Sequence, residues 1–508
     1  MRTLSDIAKQ IDGARVVGPS DVLISGITHD SRKVSPGFVF AALKGENVDG
    51  TAFVRSAVSK GAVAILCESP VNLPLDANVS QLVVSDARAQ LGQVAAAVYG
   101  HPSRALKLIG ITGTNGKTTI TYLVETILQH AGIECGVMGT VMYRYRHLEW
   151  QAAHTTPEST EVQGIMRDMV DAGATALAME VSSHGLVLGR LNGCEYDVVA
   201  FTNLTQDHLD FHHTMADYGA AKMHLFTDMI ATRPHARVVV NLDDDFSKQI
   251  IAASTHEVTS VSVLAESSAT LHPIAPPLYQ IDGTQASIQT PEGVVALDSR
   301  LCGSHNLSNL LVAAGICRAL NVPWENISQA MKKIPSVPGR LERVPCELGF
   351  SVFVDYAHTP DALFNVLRVL KPLTLGRLIC VFGCGGDRDG AKRPLMGEAV
   401  GRGADMAIVT SDNPRTENPA DIIDMVIPGV KKYQRNQLEL PQMSNAALGY
   451  IAIQDRRQAI EVAVGAAQPG DTVLLAGKGH EDYVIIGKEK FHFDDREEAK
   501  RAIAIAKG

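Results

Sequence analysis

Short apolar runs separated by polar, Gly-rich or Pro-rich turns recur along the chain, and they predict buried strands. The first hundred residues contain three such runs: VFAAL (39–43), AVAIL (62–66) and QLVVS (81–85). Residues 86–99 have helical spacing and precede Gly100, and the HPS segment at 101–103 then breaks the pattern. We therefore predict a small α/β domain over residues 1–104.

The middle of the chain alternates strand and helix patterns. LKLIGITG (106–113) predicts a strand that runs into a glycine turn, and the following ITYLVETILQHAG predicts a helix with one apolar face. Further strands are predicted at 176–182, 196–203 and 237–243, and residues 257–300 have a β-type composition. This alternation predicts a nucleotide-binding domain over 105–335, built on a mostly parallel sheet.

The segment IPSVPGRLE (334–342) marks a second boundary. Beyond it, helical stretches separate four predicted strands, at 353–357, 377–386, 405–412 and 471–479. The pattern is typical of a doubly wound, Rossmann-like domain, here predicted over 336–508.

Composition narrows the classes of function. The net charge is −9 and the chain has no dense Lys/Arg block, which argues against a nucleic-acid partner. No apolar run approaches the about 18 residues of a membrane span. Among the eight cysteines only Cys380 and Cys384 lie close together, and their spacing fits neither a zinc site nor a disulfide framework. We therefore expect reduced cysteines and a cytoplasmic location.

The strongest local motif is GTNGKTT, residues 113–119. Backbone N–H groups of such a loop cradle phosphates at a helix N-terminus, Lys117 would reach the β/γ-phosphates, and the Thr118 hydroxyl would bind Mg²⁺. The common phosphate-loop pattern has its first glycine where this chain has Ile111, so the loop is a variant. The alternative is a glycine turn that precedes Lys-Thr by chance.

Potential metal ligands follow two other predicted strands of this domain. Glu180 ends one strand, and His208 follows the next, where ligands bind in open α/β sheets. The alternatives are a structural histidine and, for Asp207 and Asp210, helix caps. Lys222 lies on a predicted helix and by default is a solvated lysine.

Three charged loops follow strands of the third domain. They are GCGGDRDGAKRP (383–394), with Arg388, Lys392 and Arg393, then SDNPRTENP (411–419) and GKGHEDY (477–483). The first suits an anionic group, and Arg415 in the second suits a bidentate carboxylate contact. The alternative is three connecting loops, but their shared position favours a common pocket.

The ordered motifs of the whole chain resemble the Mur ligase family. They are THDSRKV (28–34), TGTNGKTT, TTPES (155–159), MEVSSHGL (179–186), NLTQDHLDFH (203–212), YGAAK (218–222), NLDDD (241–245), GSHNLSN (303–309), VPGRLER (337–343), VDYAHTPDAL (354–363), GCGGDRD, DNPR (412–415) and GKGHEDY. The resemblance implies N-terminal UDP-binding, central ATP-binding and C-terminal amino-acid-binding domains. It further implies an ATP-dependent ligase that adds meso-diaminopimelate to the D-glutamate of a UDP-linked muramoyl dipeptide through an acyl phosphate.

The resemblance also implies roles for individual residues. It places the UDP end near Ser31, with Asp30 beside it, and the dipeptide at Thr155, Thr156, Ser182 and Arg190. ATP would contact Gly113, Thr114, Asn115, Gly116, Lys117, Thr118, Thr119, Asn306, Asn309, Asp355 and His358, with Arg340 facing the γ-phosphate. Diaminopimelate would contact Arg388, Asp412, Asn413, Pro414, Arg415, Gly477 and Glu481.

The metal set implied by the resemblance is two Mg²⁺ ions. Thr118 and Glu180 would hold the first, and His208 and an N-carboxylated Lys222 the second. The catalytic residues would be Lys117, Glu180, His208, Lys222 and Arg340. His154 and Leu188 depart from the family's usual Asn and Gln near the dipeptide.

Other functions stay open at this point. One is a lysine-adding member of the same family, which usually lacks an arginine at the position of Arg415. Another is a folylpolyglutamate synthetase, against which the first domain and DNPR argue. From a different class, a nucleotide-regulated binding protein would use the phosphate loop as a switch. We expect small-molecule substrates only, and a monomer.

Overall fold

The structure is a computed structural model that describes residues 2–45, 49–73, 78–152, 154–334, 336–434, 436–442 and 448–507. It has two compact units. The first comprises Met1–Ile274, Ile288–Val295 and Ser308–Ala330, and the second Ala275–Ser287, Ala296–Leu307 and Met331–Gly508. Residue 335, at the second predicted boundary, lies outside the described residues. The division into three domains at 104 and 335 stays a prediction.

The N-terminal part of the first unit is a five-stranded sheet with helices. Its elements are β1 Arg2–Thr3, α1 Leu4–Ala8, β2 Arg15–Val17, β3 Leu23–Ile24, β4 Gly26–Thr28, β5 Phe38–Ala41, α2 Val54–Ser59, β6 Ala64–Cys67, β7 Ser80–Val83 and α3 Ala87–Tyr99. The sheet order is β2-β7-β6-β5-β4, parallel except for β2. The Asp86 carboxylate caps α3, and Gly100 ends it at φ 74°, a left-handed conformation that suits glycine. The three predicted strands and the helix are confirmed.

An eight-stranded sheet follows in the first unit. Its elements are β8 Lys107–Thr112, α4 Lys117–His130, β9 Cys135–Met138, β10 Tyr143–Tyr145, β11 Leu148–Trp150, α5 Ser159–Asp171, β12 Ala176–Glu180, α6 Ser183–Val187, β13 Val198–Phe201, α7 Leu209–His212, α8 Met215–Met223, β14 Arg237–Asn241, α9 Phe246–Ala253 and β15 Glu257–Val261. The order is β11-β10-β9-β12-β8-β13-β14-β15, with the last six strands parallel. The ends of β12, β8 and β13 therefore lie side by side, which brings their loops together.

The β-type composition of residues 257–300 corresponds to a small sheet. Its strands are β16 His272–Pro273, β17 Leu278–Gln280, β18 Gly283–Thr290 and β19 Gly293–Ser299, followed by α10 Ser304–Ala319 and α11 Trp324–Lys333. Both β16 and β17 pair antiparallel with β18. This prediction is confirmed.

The C-terminal part of the second unit is a six-stranded sheet covered on both faces. Its elements are β20 Glu342–Val344, β21 Ser351–Asp355, α12 Pro360–Leu370, β22 Leu378–Phe382, α13 Lys392–Gly403, β23 Met406–Val409, α14 Pro419–Lys431, β24 Gly449–Ala452, α15 Arg456–Ala466, β25 Thr472–Ala476, β26 Tyr483–Ile486, β27 Glu489–His492 and α16 Asp495–Lys507. The order is β20-β21-β25-β22-β23-β24, parallel except for β20.

Alternate residues of this sheet belong to separate cores. Leu474 packs in a core with residues of α12, α13 and α14, whereas its neighbours Val473 and Leu475 pack in another with residues of α15 and α16. This alternation is the period-2 geometry of a strand with helices on both faces. The predicted doubly wound domain is confirmed.

Two predictions about the whole chain also have outcomes. All eight cysteines are free thiols, and seven of them are buried. None of the helices in the described part of the chain combines the length and apolarity needed to cross a bilayer.

Candidate functional site

The glycine turn after β8 has a backbone that only glycine adopts without strain at two positions. Gly113 has φ 142° and Gly116 has φ 92°. A Cβ atom on Gly113 would lie 1.8 Å from Thr202 Oγ1, and one on Gly116 would lie 2.5 Å from Asn309 Oδ1. The turn leads directly into α4, whose first residues are Lys117, Thr118 and Thr119. This is the strand, glycine loop and helix N-terminus that the motif predicted.

Two lysines donate to the same carbonyl of this loop. Lys117 Nζ donates to Gly113 O and Thr114 O, both at 2.8 Å, and Lys222 Nζ donates to Gly113 O at 3.0 Å. The Lys222 side chain also lies over the Tyr218 ring, 4.3 Å from its centroid. Two lysine side chains thus lie beside the phosphate loop, and the charge of Lys117 suits a polyanionic ligand.

Lys222 is not the solvated lysine that its helical position suggested by default. Its relative exposure is 1%. Burial, together with the nearby charge of Lys117, holds the pKa of Lys222 well below its usual value. The default interpretation is therefore wrong, and the lowered pKa favours the neutral amine.

His208 lies in a cluster of rings beside this lysine. It adopts a left-handed φ of 52°, its ring is 4.9 Å from that of His184 and 6.1 Å from that of Tyr218, and Tyr218 bonds to Thr114 at 3.2 Å. Burial lowers the pKa of His208, which favours the neutral imidazole that a metal ion requires.

The two aspartates beside His208 do not cap a helix. The residue at the start of α7 is His208 itself, without a side-chain cap, and Asp207 accepts a bond from the His208 N–H at 2.9 Å. The helix-cap alternative for Asp207 and Asp210 is therefore wrong for α7.

Glu180 is a buried carboxylate at the end of β12, with 1% exposure. Its oxygens accept from the backbone N–H of Thr140 at 2.9 Å and from the Thr140 hydroxyl at 3.1 Å. A buried carboxylate whose oxygens face neutral donors suits a hard cation such as Mg²⁺.

The predicted dipeptide-binding residues form one network around the same strand end. Thr140 and Thr155 hydroxyls are 3.0 Å apart, the Thr156 hydroxyl donates to Glu180 O at 2.9 Å and accepts from Ser182 N at 3.0 Å, and Arg190 donates to Thr156 O at 3.0 Å. The structure thus brings together all four predicted residues.

The predicted UDP end lies in the N-terminal part of the same unit. The Ser31 carbonyl accepts from Lys60 Nζ at 2.9 Å. Asp30 pairs with Arg32, whose hydrogen bonds lower the pKa of Asp30 to about 2. Next to these residues, Lys33 Nζ contacts Glu161 at 2.6 Å, at the start of α5. This ion pair ties the UDP-end segment to the helix that follows the threonine pair.

The other predicted ATP-binding residues are divided between the units. Asn309 belongs to the first unit and faces Gly116, whereas Asn306, Arg340, Asp355 and His358 belong to the second. In the second unit, Asp355 accepts from the N–H groups of Leu341 and Ala357 at 2.7 and 2.8 Å. Burial raises the pKa of Asp355, and Arg340 opposes that shift.

Within the second unit, the three charged loops are bonded to one another. Arg415 Nη1 donates to Gly386 O at 2.7 Å, Gly386 N donates to Asn413 O at 2.9 Å, and Asn413 Nδ2 donates to Glu481 at 3.0 Å. The Arg415 N–H also donates to the carbonyl of Ile485 in β26, and the Arg415 carbonyl accepts from the N–H of Gly487, just after β26. The prediction of a common pocket is supported by these contacts, since each loop contacts another directly.

Close backbone approaches explain the glycines of these loops. A Cβ atom on Gly386 would lie 1.9 Å from Pro414 O, and one on Gly477 would lie 2.6 Å from Asp412. Arg388 is exposed on the first loop. Arg393, a further candidate for an anionic ligand, is buried and pairs with Glu417 at 2.7 Å, so it serves the fold of the loop.

The described residues contain no group of three or more His, Cys, Asp or Glu side chains arranged to hold a metal ion. The predicted magnesium ligands are not a group of that kind, because they are one carboxylate (Glu180), one hydroxyl (Thr118), one imidazole (His208) and one lysine (Lys222). Glu180 and Thr118 fit the oxygen-rich coordination of Mg²⁺. Lys222 fits only after conversion to an anionic oxygen ligand.

Sequence reasoning assigned no role to Thr140 and Tyr218 of these networks, or to Lys478 in the loop after β25, whose side chain donates to Asn413 at 3.2 Å. Thr140 follows β9, which neighbours β12, so the strand-end rule was sufficient to find it. Tyr218 precedes Lys222 by four residues on α8 and therefore lies on the same helical face. The sequence did not predict the burial of Lys478, because a lysine between two glycines in a loop is on no helix or strand face whose pattern would indicate its exposure.

Comparison with known proteins agrees with this arrangement. Three family models match the chain. The model described as "Mur ligase family, catalytic domain" matches residues 23–105, the "Mur ligase middle domain" matches 111–317, and the "Mur ligase, glutamate ligase domain" matches 339–479. Two relatives are described as UDP-N-acetylmuramoyl-L-alanyl-D-glutamate–2,6-diaminopimelate ligases. The protein from Geobacter metallireducens is 43% identical to this chain, and the match covers 98% of both chains. The protein from Geobacter sulfurreducens is 44% identical, and the match covers 98% of this chain and 97% of the relative.

A solved structure of a ligase with the same description has a TM-score of 0.70 and 33% identity, and the match covers 96% of both chains. Sequence and fold thus agree along almost the full length. The chain belongs to the Mur ligase family.

Proposed function

We propose that the protein is an ATP-dependent ligase that adds meso-diaminopimelate to the D-glutamate of UDP-N-acetylmuramoyl-L-alanyl-D-glutamate, a step of peptidoglycan precursor synthesis. The observation that carries the proposal is the bonded set Arg415, Asn413 and Glu481 in the second unit. It offers a guanidinium for a carboxylate and a carboxylate for an ammonium, which are the two charged groups of an amino-acid terminus. The full-length similarity to diaminopimelate ligases supports the substrate.

The first unit would carry the phosphoryl transfer. The side-chain carboxylate of D-glutamate attacks the γ-phosphorus of ATP, and ADP leaves, which forms an acyl phosphate. Lys117 and the N–H groups at the start of α4 would neutralise the charge that spreads over the transferring phosphoryl group. Thr155, Thr156, Ser182 and Arg190 would orient the dipeptide, and Ser31 would contact its UDP end.

The amine of diaminopimelate then attacks the acyl carbon. The tetrahedral intermediate loses a proton from nitrogen, expels phosphate and leaves the new amide. Arg388, Asp412, Asn413, Pro414, Arg415, Gly477 and Glu481 would hold the amino acid. Asn306, Asn309, Arg340, Asp355 and His358 would contact the nucleotide.

Magnesium would be held by Thr118 and Glu180, and a second ion by His208 and modified Lys222. Bound Mg²⁺ supplies Lewis-acid neutralisation of phosphate charge. The proposal for Lys222 rests on its buried amine with a lowered pKa. A neutral amine adds to CO₂ with loss of a proton, and the resulting carbamate is an anionic oxygen ligand. We further propose a cytoplasmic monomer that binds only small molecules.

The test is an amino-acid panel offered with ATP and the UDP-dipeptide, with products identified by mass. We expect one product, larger than the dipeptide by one diaminopimelate residue, together with ADP and phosphate. A lysine product of equal yield would assign the protein to the lysine-adding members. ATP binding without turnover would favour a nucleotide switch and refute the proposal.

A further inference from the structure

We propose that Lys478 is a positioning residue for the amino-acid substrate, which fixes Asn413 and thereby presents Glu481 to the substrate ammonium. The inference rests on the proposed ligase function, and it adds a residue that does not itself contact substrate. Lys478 lies between Gly477 and Gly479 in the loop after β25, and its side chain is fully buried, at 0% exposure.

The Lys478 side-chain nitrogen faces four oxygen atoms, and the centroid of the Phe493 ring lies 6.0 Å from it. It donates to Tyr483 O at 2.7 Å and to Asn413 Oδ1 at 3.2 Å. It lies 3.8 Å from Asp412 Oδ1 and 4.0 Å from Glu481 Oε2. Three donors facing four oxygens match the ammonium form, and such a buried charge is costly to remove once its partners are in place.

These contacts determine which way the Asn413 amide faces. Its Oδ1 accepts from Lys478 Nζ and also from Ile485 N, the latter at 2.9 Å. With the oxygen held by two donors, the NH₂ group must face the other way, where it donates to Glu481 Oε2 at 3.0 Å. Glu481 is thus held through one oxygen, and its Oε1 stays available to accept from a substrate ammonium.

Lys478 also affects the charge of Glu481. Burial raises the pKa of Glu481, and the nearby Lys478 charge opposes that rise. The other titratable groups that face Glu481 are Asp412, His358, Tyr356 and Tyr483. Without the lysine charge, the pKa of Glu481 would rise further. Only ionised Glu481 binds an ammonium. As the pH is lowered, the enzyme without Lys478 would therefore lose use of the amino acid at a higher pH than the wild type.

The experiment compares Lys478→Met, Lys478→Arg and a matched control, Lys488→Met, in the full-length enzyme. Lys488 is exposed on the neighbouring β26–β27 turn. KM is measured for diaminopimelate, ATP and the UDP-dipeptide, and kcat/KM for diaminopimelate is followed from pH 6 to 9. We expect Lys478→Met to raise the diaminopimelate KM on the order of tenfold or more. Its UDP-dipeptide KM stays unchanged, and the acidic limb of the profile moves to higher pH.

Lys478→Arg keeps the charge and should leave the acidic limb near its wild-type position. A double-mutant cycle with Asn413→Ala covers the case in which Lys478→Met is poorly folded. If Lys478 acts through Asn413, the effects of the two changes on diaminopimelate KM are strongly non-additive. Additive effects, or a Lys478→Met enzyme with an unmoved acidic limb and a wild-type diaminopimelate KM, would overturn the inference. Failure of the wild-type enzyme to ligate diaminopimelate would instead refute the proposed function.

Discussion

Lys222 and Lys478 are both buried lysines, one in each unit, and their neighbours differ in charge. Lys222 shares the Gly113 carbonyl with the cation Lys117. Lys478 lies within 4.0 Å of two carboxylates, Asp412 and Glu481. Burial lowers the pKa of both, but Lys117 lowers that of Lys222 further, whereas the carboxylates oppose the shift at Lys478.

The comparison teaches that burial alone does not decide what a lysine does. Among cations, the neutral amine is favoured, and a neutral amine is a nucleophile that can react with CO₂. Among carboxylates, the ammonium is favoured, and it organises the acceptors around it. The following changes test this difference, from the largest expected effect to the smallest.

Replacing Lys117 should have the largest effect, because it removes both the phosphate-loop charge and the cation that depresses the pKa of Lys222. We expect Lys117→Ala to lower kcat by about a thousandfold or more, since the charge is needed most in the transition state. Steady-state phosphate release measures the effect. Lys107→Ala, at the exposed start of β8, the strand before the phosphate loop, is the matched control and should retain activity. Near-normal turnover by a folded Lys117→Ala enzyme would contradict the phosphate-loop assignment.

Replacing Lys222 should leave the enzyme nearly inactive but open to chemical rescue. In Lys222→Ala, an added short-chain carboxylate has room to take the place of the proposed carbamate and restore an oxygen ligand for Mg²⁺. Activity is measured across a series of carboxylate concentrations. Lys248→Ala, which changes an exposed lysine, should be fully active and insensitive to the additive. Full activity of Lys222→Ala without additive would exclude an essential carbamate.

Replacing Arg415 should change specificity more than turnover. Diaminopimelate differs from lysine by one distal carboxylate, and loss of one partner of a buried Arg–carboxylate pair costs about 3–5 kcal/mol. Because Arg415 is partly exposed, we expect the lower end, roughly a hundredfold in kcat/KM for diaminopimelate. The measurement is the diaminopimelate-to-lysine ratio of kcat/KM at saturating ATP and UDP-dipeptide.

Arg415→Lys is the informative partner of Arg415→Ala. It keeps the charge but lacks the planar fork, so its ratio should fall between those of wild type and Arg415→Ala. An unchanged ratio in both variants would show that Arg415 does not read the distal carboxylate.

Most of the fold could be predicted from the sequence, because central parallel strands are buried on both faces and therefore read as continuous apolar runs. Runs such as ALAMEVS and RVVVNLD correspond to β12 and β14 within two residues at each end. The glycine loop was also predictable, because its position between a strand and a helix is visible in the local sequence.

The environments of individual side chains were not predictable. Lys222 has the sequence context of a surface helix residue, and only the packing of α8 against the phosphate loop buries it. Arg393 looked like a ligand for anions, but Glu417, 24 residues away in the chain, pairs with it. Burial and pairing of charged side chains depend on contacts between distant segments, and no local pattern reports them.

The smallest predicted effect is on stability, and it should differ in sign between the two lysines. In the folded state the pKa of Lys222 is below its usual value, so the unfolded chain binds more protons at any pH between the folded and unfolded pKa values. Folding stability attributable to Lys222 therefore rises with pH and is lowest below its folded pKa. Lys222→Met removes this penalty, and Gly113 O keeps its bond from Lys117. In CO₂-depleted buffer without ligands we expect its melting temperature at pH 7 to exceed that of wild type by roughly 2 °C.

Lys478→Met should do the opposite, because it leaves the oxygens of Asn413, Tyr483, Asp412 and Glu481 without their shared donor. Removing a buried cation from two carboxylates, and a donor from two carbonyl acceptors, is destabilising, so we expect a lower melting temperature. The Lys222→Met advantage should also shrink as the pH approaches 10, where the unfolded lysine itself loses its proton. Thermal unfolding of both variants and wild type at pH 7 and pH 9.5 measures this. Shifts of the same sign would mean that burial alone, and not the charge of the neighbours, sets the behaviour of these lysines.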